Sequence, residues 1–302
     1  MSERATPAGA KSSPAGLVAD GLGTFAWSFT GVLVKLVAVS GLVLAFYRLW
    51  LGLLVAALAV LVTRTRLSWR TLRISAFGGL FFCADVALLF AALKRTSVAD
   101  AMFIGSLQPV LVLLVANKWF GERLSPRQLA LMALAITGVA GVVLGGKGGV
   151  HGGLAGDVLA VGSLLAWAAY WVVSKRVRAD LGTLDYLTGF LFVASLLMTP
   201  IALAFGGAFA VPSAYDWLWL AILGLVPTTG HFLFNWAHRH VAVTISSLVQ
   251  SAVPVVAAAA AYVILGEPLT GPQVAGGLIA VGAVSAICVT SARPTPAGSD
   301  EG

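Results

Sequence analysis

A sequence pattern typical of membrane-spanning segments occurs twice in this chain of 302 residues. At an offset of 145 residues the same residue recurs at four pairs of positions: Pro109 and Pro254, Gly121 and Gly266, Glu122 and Glu267, Gln128 and Gln273. At an offset of 140 residues, Trp27 and Lys35 recur as Trp167 and Lys175. Duplication over such a long period is typical of membrane proteins whose two halves surround a shared central site. The repeat therefore constrains the architecture and the function together.

The composition excludes an ordinary soluble domain. Apolar residues make up 59% of the chain and charged residues only 10%, whereas soluble domains carry about 25% charge. The net charge of +7 does not indicate nucleic-acid binding, because the basic residues lie in short loops between apolar runs. Cys83 and Cys288 lie inside apolar segments, where we expect buried small residues without metal or redox duty. The chain is predicted to be an all-α integral membrane protein.

Ten stretches are long and apolar enough to cross a bilayer, which takes about 20 residues. They are residues 22–40, 41–63, 74–93, 98–117, 127–145, 154–173, 185–206, 215–236, 241–265 and 271–291. The domains expected are a disordered cytoplasmic tail (1–16), a five-helix repeat (17–145), a glycine-rich linker (146–153), a second five-helix repeat (154–291) and a second disordered tail (292–302).

The distribution of basic residues predicts the orientation, because cytoplasmic loops are enriched in Lys and Arg. With the N-terminus cytoplasmic, fourteen loop and tail residues of this kind lie inside and only Lys94, Arg95 and Lys147 lie outside. Both termini are then cytoplasmic. Because each half contains an odd number of spans, the second half enters the membrane upside down. We therefore predict an inverted repeat in the cytoplasmic membrane.

Two blocks of sequence carry a family resemblance. They are AFYRLW in the second span together with PVLVLLVANKWFGERLSPRQLALMALAITGVAGVVL, and FNWAHRHVAVTISSLVQSAVP running into PVVAAAAAYVILGEPLTGPQVAGGLIAVGAV in the second half. With them the chain resembles the EamA family of the drug/metabolite transporter superfamily, from about Leu22 to Val289. The resemblance implies movement of small metabolites such as amino acids, nucleosides or drug-like compounds, and it says little about which of them.

Two charged residues well inside predicted spans are candidate functional groups. Arg48 lies about 10 Å inside the second span, where a lipid-facing guanidinium would be costly, so it should point into the bundle or snorkel outward. It is either a structural partner or an anchor for an anionic substrate group. Asp85 is interpreted as the only carboxylate near the middle of a span. It either pairs with Arg48 or carries a coupling proton.

The eighth span contains PTTGHFLFNW, in which Pro227 and the following residues predict a break or kink. His231 and Asn235 are four residues apart and share a helix face. They either line the substrate site or make hydrogen bonds between helices.

Pro109 and Pro254 lie at equivalent places in the fourth and ninth spans. They are either hinges for alternating access, which we favour, or static bends shared by the two halves. Gln108 and Gln250, close to these prolines, are candidate neutral contacts for the substrate.

Aromatic residues mark the first helix of each half. Trp167 and Trp171 share a face inside the sixth span, near Tyr170, and Trp27 is the counterpart of Trp167. They form either an interface belt or a wall for an apolar or aromatic ligand.

Two further repeated pairs suggest structural duties. Glu122 and Glu267 are predicted to sit in turns between helices. Lys35 and Lys175 are predicted to anchor span ends at opposite faces of the membrane.

No constellation for catalysis emerges. The segment GVVLGGKG imitates a phosphate-binding loop but lacks its Ser or Thr and ends a membrane helix. We expect no cofactor, no metal and no nucleic acid. The expected partners are a small-molecule substrate, the bilayer, protons as a candidate coupling ion and a second copy in a candidate homodimer.

The function predicted is secondary transport by alternating access, with export of amino acids or related compounds favoured by the resemblance alone. Transport is either proton-coupled, through Asp85 or His231, or facilitative exchange. The alternatives are a membrane-embedded enzyme, a lipid-carrier flippase or a passive channel.

Overall fold

The computed structural model describes residues 13–64, 68–111, 114, 125–146, 153–177, 181–207, 211–237, 240–241, 246 and 249–291. Every regular element in these ranges is a helix, which confirms the all-α prediction. In chain order they are α1 (Pro14–Ser28), α2 (Thr30–Leu36), α3 (Gly41–Thr63), α4 (Trp69–Leu93), α5 (Val98–Gly105), α6 (Pro126–Gly146), α7 (Leu154–Val177), α8 (Thr183–Phe205), α9 (Ala214–Ala237), α10 (Val253–Ala260, continued by a π-helical turn Ala261–Leu265) and α11 (Gly271–Ser291).

Seven helical segments within the described ranges are long and apolar enough to cross a membrane. They are Pro14–Leu36, Gly41–Thr63, Trp69–Leu93, Pro126–Gly146, Leu154–Ser174, Leu184–Phe205 and Gly271–Val289. Two shorter apolar helices, Val98–Leu111 and Val253–Leu265, fall in the predicted fourth and ninth spans. The protein is therefore a multi-pass membrane protein, as predicted.

The first helix begins earlier than expected. α1 starts at Pro14, so the predicted tail over 1–16 is wrong for residues 14–16, and the first span begins before residue 22. Ser13 caps the helix, since its hydroxyl accepts a hydrogen bond from the Gly16 amide at 3.0 Å, and proline at the first helical position is favourable. The amide of Ser13 also donates to the carbonyl of His240 at 3.0 Å. This start places Asp20 inside the span.

The helices that carry the repeated prolines are interrupted at equivalent places. A two-residue turn, Ser106–Leu107, precedes Pro109, and the turn Ser251–Ala252 precedes Pro254. The same bonds hold both turns: Leu107 N–H donates to Ile104 O at 3.1 Å, and Ala252 N–H donates to Val249 O at 3.2 Å. These pairs are again 145 residues apart. The repeat in sequence is thus also a repeat in local backbone structure.

The helices after the Gly-Glu turns begin with matching caps. Ser125 exchanges hydrogen bonds with Gln128, and Thr270 exchanges them with Gln273 in the same way. This reciprocal arrangement satisfies amides at a helix start that would otherwise lack partners. Gly266 has φ +67°, a conformation that glycine adopts without steric cost.

The main packing contacts join the two halves of the chain. α6 packs along α11, α3 along α8, α4 between α7 and α8, and α9 against α1 and α3. Exchanging each helix for its counterpart in the other half (α1 for α7, α3 for α8, α4 for α9, α6 for α11) leaves this pattern unchanged. The largest group of buried apolar side chains lies where α3, α4, α8 and α9 meet.

Candidate functional site

An aromatic cluster lies between the halves, formed by Trp27, Phe82, Trp167, Tyr170 and His231. Trp27 on α1 makes edge contacts with His231 on α9 and Trp167 on α7, with centroids 4.5 and 5.8 Å apart. Trp167 stacks on Tyr170 at 5.1 Å, and Phe82 on α4 lies 5.4 Å from Tyr170. The tryptophans keep part of their surface accessible, whereas Phe82 is buried. Four helices from both halves therefore meet here.

The structure brings Arg48 and Asp85 to this cluster. The Arg48 guanidinium lies 5.5 Å from the centroid of the Phe82 ring, and both charged side chains are buried, being 6% and 7% exposed. The two side chains interact electrostatically, yet no ion pair within 4 Å joins them. Ser163 Oγ donates to Asp85 Oδ1 at 2.5 Å. The Arg48 Nε has no hydrogen-bond partner in the described part of the chain.

The eighth predicted span is one uninterrupted helix. α9 runs from Ala214 to Ala237 through Pro227, so the expected break is not found there. The hydroxyl of Thr228 donates to Gly224 O at 2.6 Å and supplies one local bond within this stretch. His231 is 9% exposed and belongs to the aromatic cluster. The side chain of Asn235 lies outside the described residues.

The remaining predicted contacts are spread more widely. Trp171 meets Trp167 edge-on at 6.1 Å and so borders the cluster. Gln250 Nε2 donates to Ser246 Oγ at 3.5 Å, a contact with a residue four positions earlier in the chain. Gln108 is half-buried in the turn of helix that follows the interruption before Pro109. These contacts do not bring Gln108 or Gln250 to the aromatic cluster.

Charged residues gather at one end of the bundle, in an end cluster of Lys35, Lys94, Asp216 and Glu267. Lys35 forms a salt bridge with Glu267, whose other oxygen accepts the amide of Val98 at 2.9 Å. Asp216 accepts the amide of Ala38 at 2.9 Å, and Lys94 donates to the carbonyl of Val37. Lys35 and Glu267 are therefore partners, a pairing that the sequence pattern did not indicate. Glu122 and the side chain of Lys175 lie outside the described residues.

Lys94 supplies a pH-dependent prediction. It lies just beyond the end of α4, and burial, reinforced by the charge of Lys35, lowers its pKa from 10.5 to about 8, while Asp216 acts in the opposite direction. The folded protein thus releases this proton more readily than the unfolded chain does, so the contribution of Lys94 to stability should rise as pH increases from about 8 towards 10.5. We expect the melting temperature of the wild type, relative to Lys94→Met, to rise between these pH values. A melting temperature that changes with pH by the same amount in the wild type and in Lys94→Met would contradict this.

Two groups of residues were not predicted from the sequence. Phe82, at the centre of the aromatic cluster, lies three residues before Asp85, and this spacing on one helix face was available as a signal. The second group is a buried network: Thr96 donates to Asp157 at 2.6 Å, and Gln273 donates to Asp100 at 3.0 Å. Only the repeated glutamine marked this network in the sequence.

The comparison with known families decides the identity. The model of the EamA-like transporter family matches residues 16–144 and again residues 154–289. The chain belongs to the EamA-like transporter family. It is a transporter and not an enzyme, and the two matches fall on the two halves that the repeat defines. This confirms the family resemblance inferred from the sequence.

Individual relatives of this EamA-family chain carry transporter names. It is 28% identical over 200 residues to an uncharacterized transporter of Archaeoglobus fulgidus, covering 66% of this chain and 70% of the relative. It is 29% identical over 219 residues to a probable amino-acid metabolite efflux pump of Salmonella typhimurium, covering 64% and 68% of the two chains. It is 28% identical over 151 residues to the aromatic amino acid exporter YddG of Ancylobacter novellus, covering 49% and 51%.

A solved crystal structure shares the fold. It superposes with a TM-score of 0.65 at 24% identity, covering 92% of this EamA-family chain and 99% of the other.

Proposed function

We propose that this chain exports amino acids or related small metabolites by alternating access around a site between its two halves. Two observations on relatives support the substrate class: one is named an aromatic amino acid exporter and another a probable amino-acid metabolite efflux pump. The substrate would lie at the aromatic cluster, with Arg48 and Asp85 at its edge.

The pair Arg48 and Asp85 is the observation that carries this proposal. A free amino acid presents a carboxylate and an ammonium group, and the pair offers one charge of each sign. Because the two side chains are buried without being joined as an ion pair, each retains the capacity to bind a substrate group. The planar guanidinium of Arg48 can donate two parallel hydrogen bonds to the substrate carboxylate. The Asp85 carboxylate can accept hydrogen bonds from the substrate ammonium group. Phe82, Trp27 and Trp167 then contact an apolar or aromatic side chain.

The internal repeat supports alternating access. The contacts between helices pair the two halves symmetrically, and equivalent interruptions lie before Pro109, just after α5, and before Pro254, just before α10. Discontinuous helices at a repeat interface are typical of secondary transporters. We propose two inverted five-helix repeats, with the interruptions before Pro109 and Pro254 as the hinges. Pro227, which lies within a continuous helix, is the weakest of the three predicted hinges.

We also propose insertion in the cytoplasmic membrane with both termini inside, on the basis of the loop charges. The end cluster is consistent with this, because it joins the end of α2, the end of α4, the start of α9 and the end of α10 at one face. That face would be the outer one. A homodimer and proton coupling through Asp85 or His231 stay predictions, as does facilitative exchange.

The proposal is tested by exchange of radiolabelled L-phenylalanine across proteoliposomes that contain the purified full-length chain. Trp167→Ala should weaken the apparent affinity for L-phenylalanine about tenfold, since stacking on the ring is lost. The matched control is Trp69→Ala, because Trp69 is 73% exposed at the start of α4 and should leave exchange unchanged. No exchange by the wild type with a panel of amino acids, or equal affinity in the wild type and Trp167→Ala, would refute the proposal.

A further inference from the structure

A second buried carboxylate lies in α1, away from the aromatic cluster. Asp20 is 0% exposed, and neither of its oxygens has a hydrogen-bond partner in the described part of the chain. Thr24, one helical turn later on the same face, is 5% exposed, and its hydroxyl is likewise unpartnered within the described residues. The hydroxyl of Ser246, which is 1% exposed, lies beside Asp20 at a geometry short of a full hydrogen bond. Both carboxylate oxygens of Asp20 and the hydroxyl of Thr24 are therefore buried without a hydrogen-bond partner among the described residues, and the buried Ser246 hydroxyl is their neighbour.

No described positive charge compensates Asp20. On α9, which packs against α1, His231 contacts Trp27 about 10 Å further along α1. The backbone carbonyl of His240, just after α9, accepts the Ser13 amide, and its side chain is exposed.

The other neighbours of α1 bring no counter-charge either. On α2, Lys35 is paired with Glu267 at the far end of the span. On α7, Asp157 is bonded to Thr96 at that same end. The described part of α10 carries no charged side chain before Glu267.

An isolated buried carboxylate costs far more than a paired one, and ionisable groups inside membrane helices mark ion pathways. We propose that Asp20, Thr24 and Ser246 form a site for a monovalent cation, either H⁺ or Na⁺, whose gradient drives export. One carboxylate balances one positive charge, and hydroxyl oxygens are hard ligands suited to such an ion. A divalent ion would call for more carboxylates, and no group of three metal-binding side chains occurs among the described residues. The proposal rests on the transport function proposed above.

The site joins the two elements that alternating access would move. Asp20 lies on the same helix as Trp27, so the cation and the substrate would share α1. Ser246 precedes the interruption at Ser251–Ala252 in the chain. Gln250, next to that interruption, donates to the Ser246 hydroxyl at 3.5 Å. Binding of the cation would therefore hold α1 against the segment that precedes Pro254. Asp85, by contrast, already accepts a hydrogen bond from Ser163 and lies near the positive charge of Arg48.

The first test uses the purified protein in detergent, without substrate. The melting temperature is measured from pH 5 to pH 8, and at pH 8 with NaCl or with N-methylglucamine chloride. A ligand that binds only the folded state raises its stability by mass action. A proton site predicts a wild-type response to pH, and a sodium site predicts a wild-type response to NaCl, each reduced or absent in Asp20→Asn. Equal responses of the wild type and Asp20→Asn in both series would overturn the proposal.

Thr24→Val distinguishes a Na⁺ site from an H⁺ site. It also keeps the proposal testable if Asp20→Asn does not fold. For Na⁺ it removes a ligand oxygen, so the half-saturating concentration should rise on the order of tenfold. For H⁺ it should leave the pH response in place. Ser28→Ala is the matched control, because Ser28 is buried on the same helix but donates to the carbonyl of Thr24. A change in Ser28→Ala as large as that in Asp20→Asn would overturn the proposal.

The second test uses proteoliposomes and the ratio of gradient-driven accumulation to exchange of L-phenylalanine. An imposed pH gradient and an imposed Na⁺ gradient are applied separately. Asp20→Asn should lower this ratio about tenfold for the coupled ion. A wild-type ratio in Asp20→Asn would overturn the cation site and leave the transport function standing. Absence of exchange in the wild type would refute the transport function, and the melting experiment would still report on the cation.

Discussion

Arg48→Met is expected to abolish exchange of L-phenylalanine, with a loss of at least about a hundredfold at low substrate concentration. The methionine removes the charge and the planar fork that would bind the substrate carboxylate, and charge-assisted bonds of this kind are among the strongest available. It also leaves Asp85 without its positive neighbour, which should lower stability by about 3 kcal/mol. Exchange is measured in proteoliposomes that contain equal amounts of folded protein.

A double variant separates the binding role of Arg48 from its structural role. Arg48→Met combined with Asp85→Leu removes both charges, so stability should return to near the wild-type value. Exchange should stay absent, because neither substrate charge has a partner. Arg48→Lys, which keeps the charge and loses the fork, should retain part of the activity. Recovery of wild-type exchange in the double variant would show that the charges only stabilise each other.

The apolar runs predicted the helices well because membrane spans need length and hydropathy more than they need particular contacts. α3 matches the predicted span over 41–63 at both ends. The start of α1 was missed because residues 14–21 are rich in small residues, and what fixes the start is a cap at Ser13 and its bond to His240. That error hid Asp20, so that Asp85 was taken as the only carboxylate near the middle of a span.

The convergence of Arg48, Asp85, His231 and Trp167 was anticipated in part, since intramembrane charges and aromatic residues avoid lipid for physical reasons. The partner of Lys35 was not, because Glu267 is 232 residues away in sequence and only the packing of α2 beside the end of α10 brings them together. Proline alone predicted hinges or bends at Pro109 and Pro254 and a break or kink at Pro227. The structure has an interruption before Pro109 and another before Pro254, each a two-residue turn. At Pro227 the helix continues, so proline by itself does not decide a break.

Gly138→Ala is expected to lower the stability of the protein by about 3 kcal/mol, and its melting temperature by about 10 °C. α6 and α11 cross with their backbones in contact at Gly138 and Gly276. A Cβ atom on Gly138 would lie 2.6 Å from the amide nitrogen of Ala280 and 2.7 Å from the carbonyl oxygen of Gly276. Backbone atoms cannot rotate aside as a flexible side chain can, so the helices must separate. Small residues that permit close approach are a main source of helix association in membranes.

Gly282→Ala is the matched control for this crossing, because it adds the same methyl group to α11 at a place where no atom lies within 4 Å. Alanine favours the helix over glycine by about 1 kcal/mol, so this variant should melt at the wild-type temperature or slightly above it. Gly276→Ala should behave like Gly138→Ala, since a Cβ there would lie 2.8 Å from the amide nitrogen of Val142. The double variant should lose less than the sum of the two, because the first methyl group already forces the helices apart. Equal melting temperatures for Gly138→Ala and Gly282→Ala would show that the backbones of α6 and α11 do not meet at this crossing.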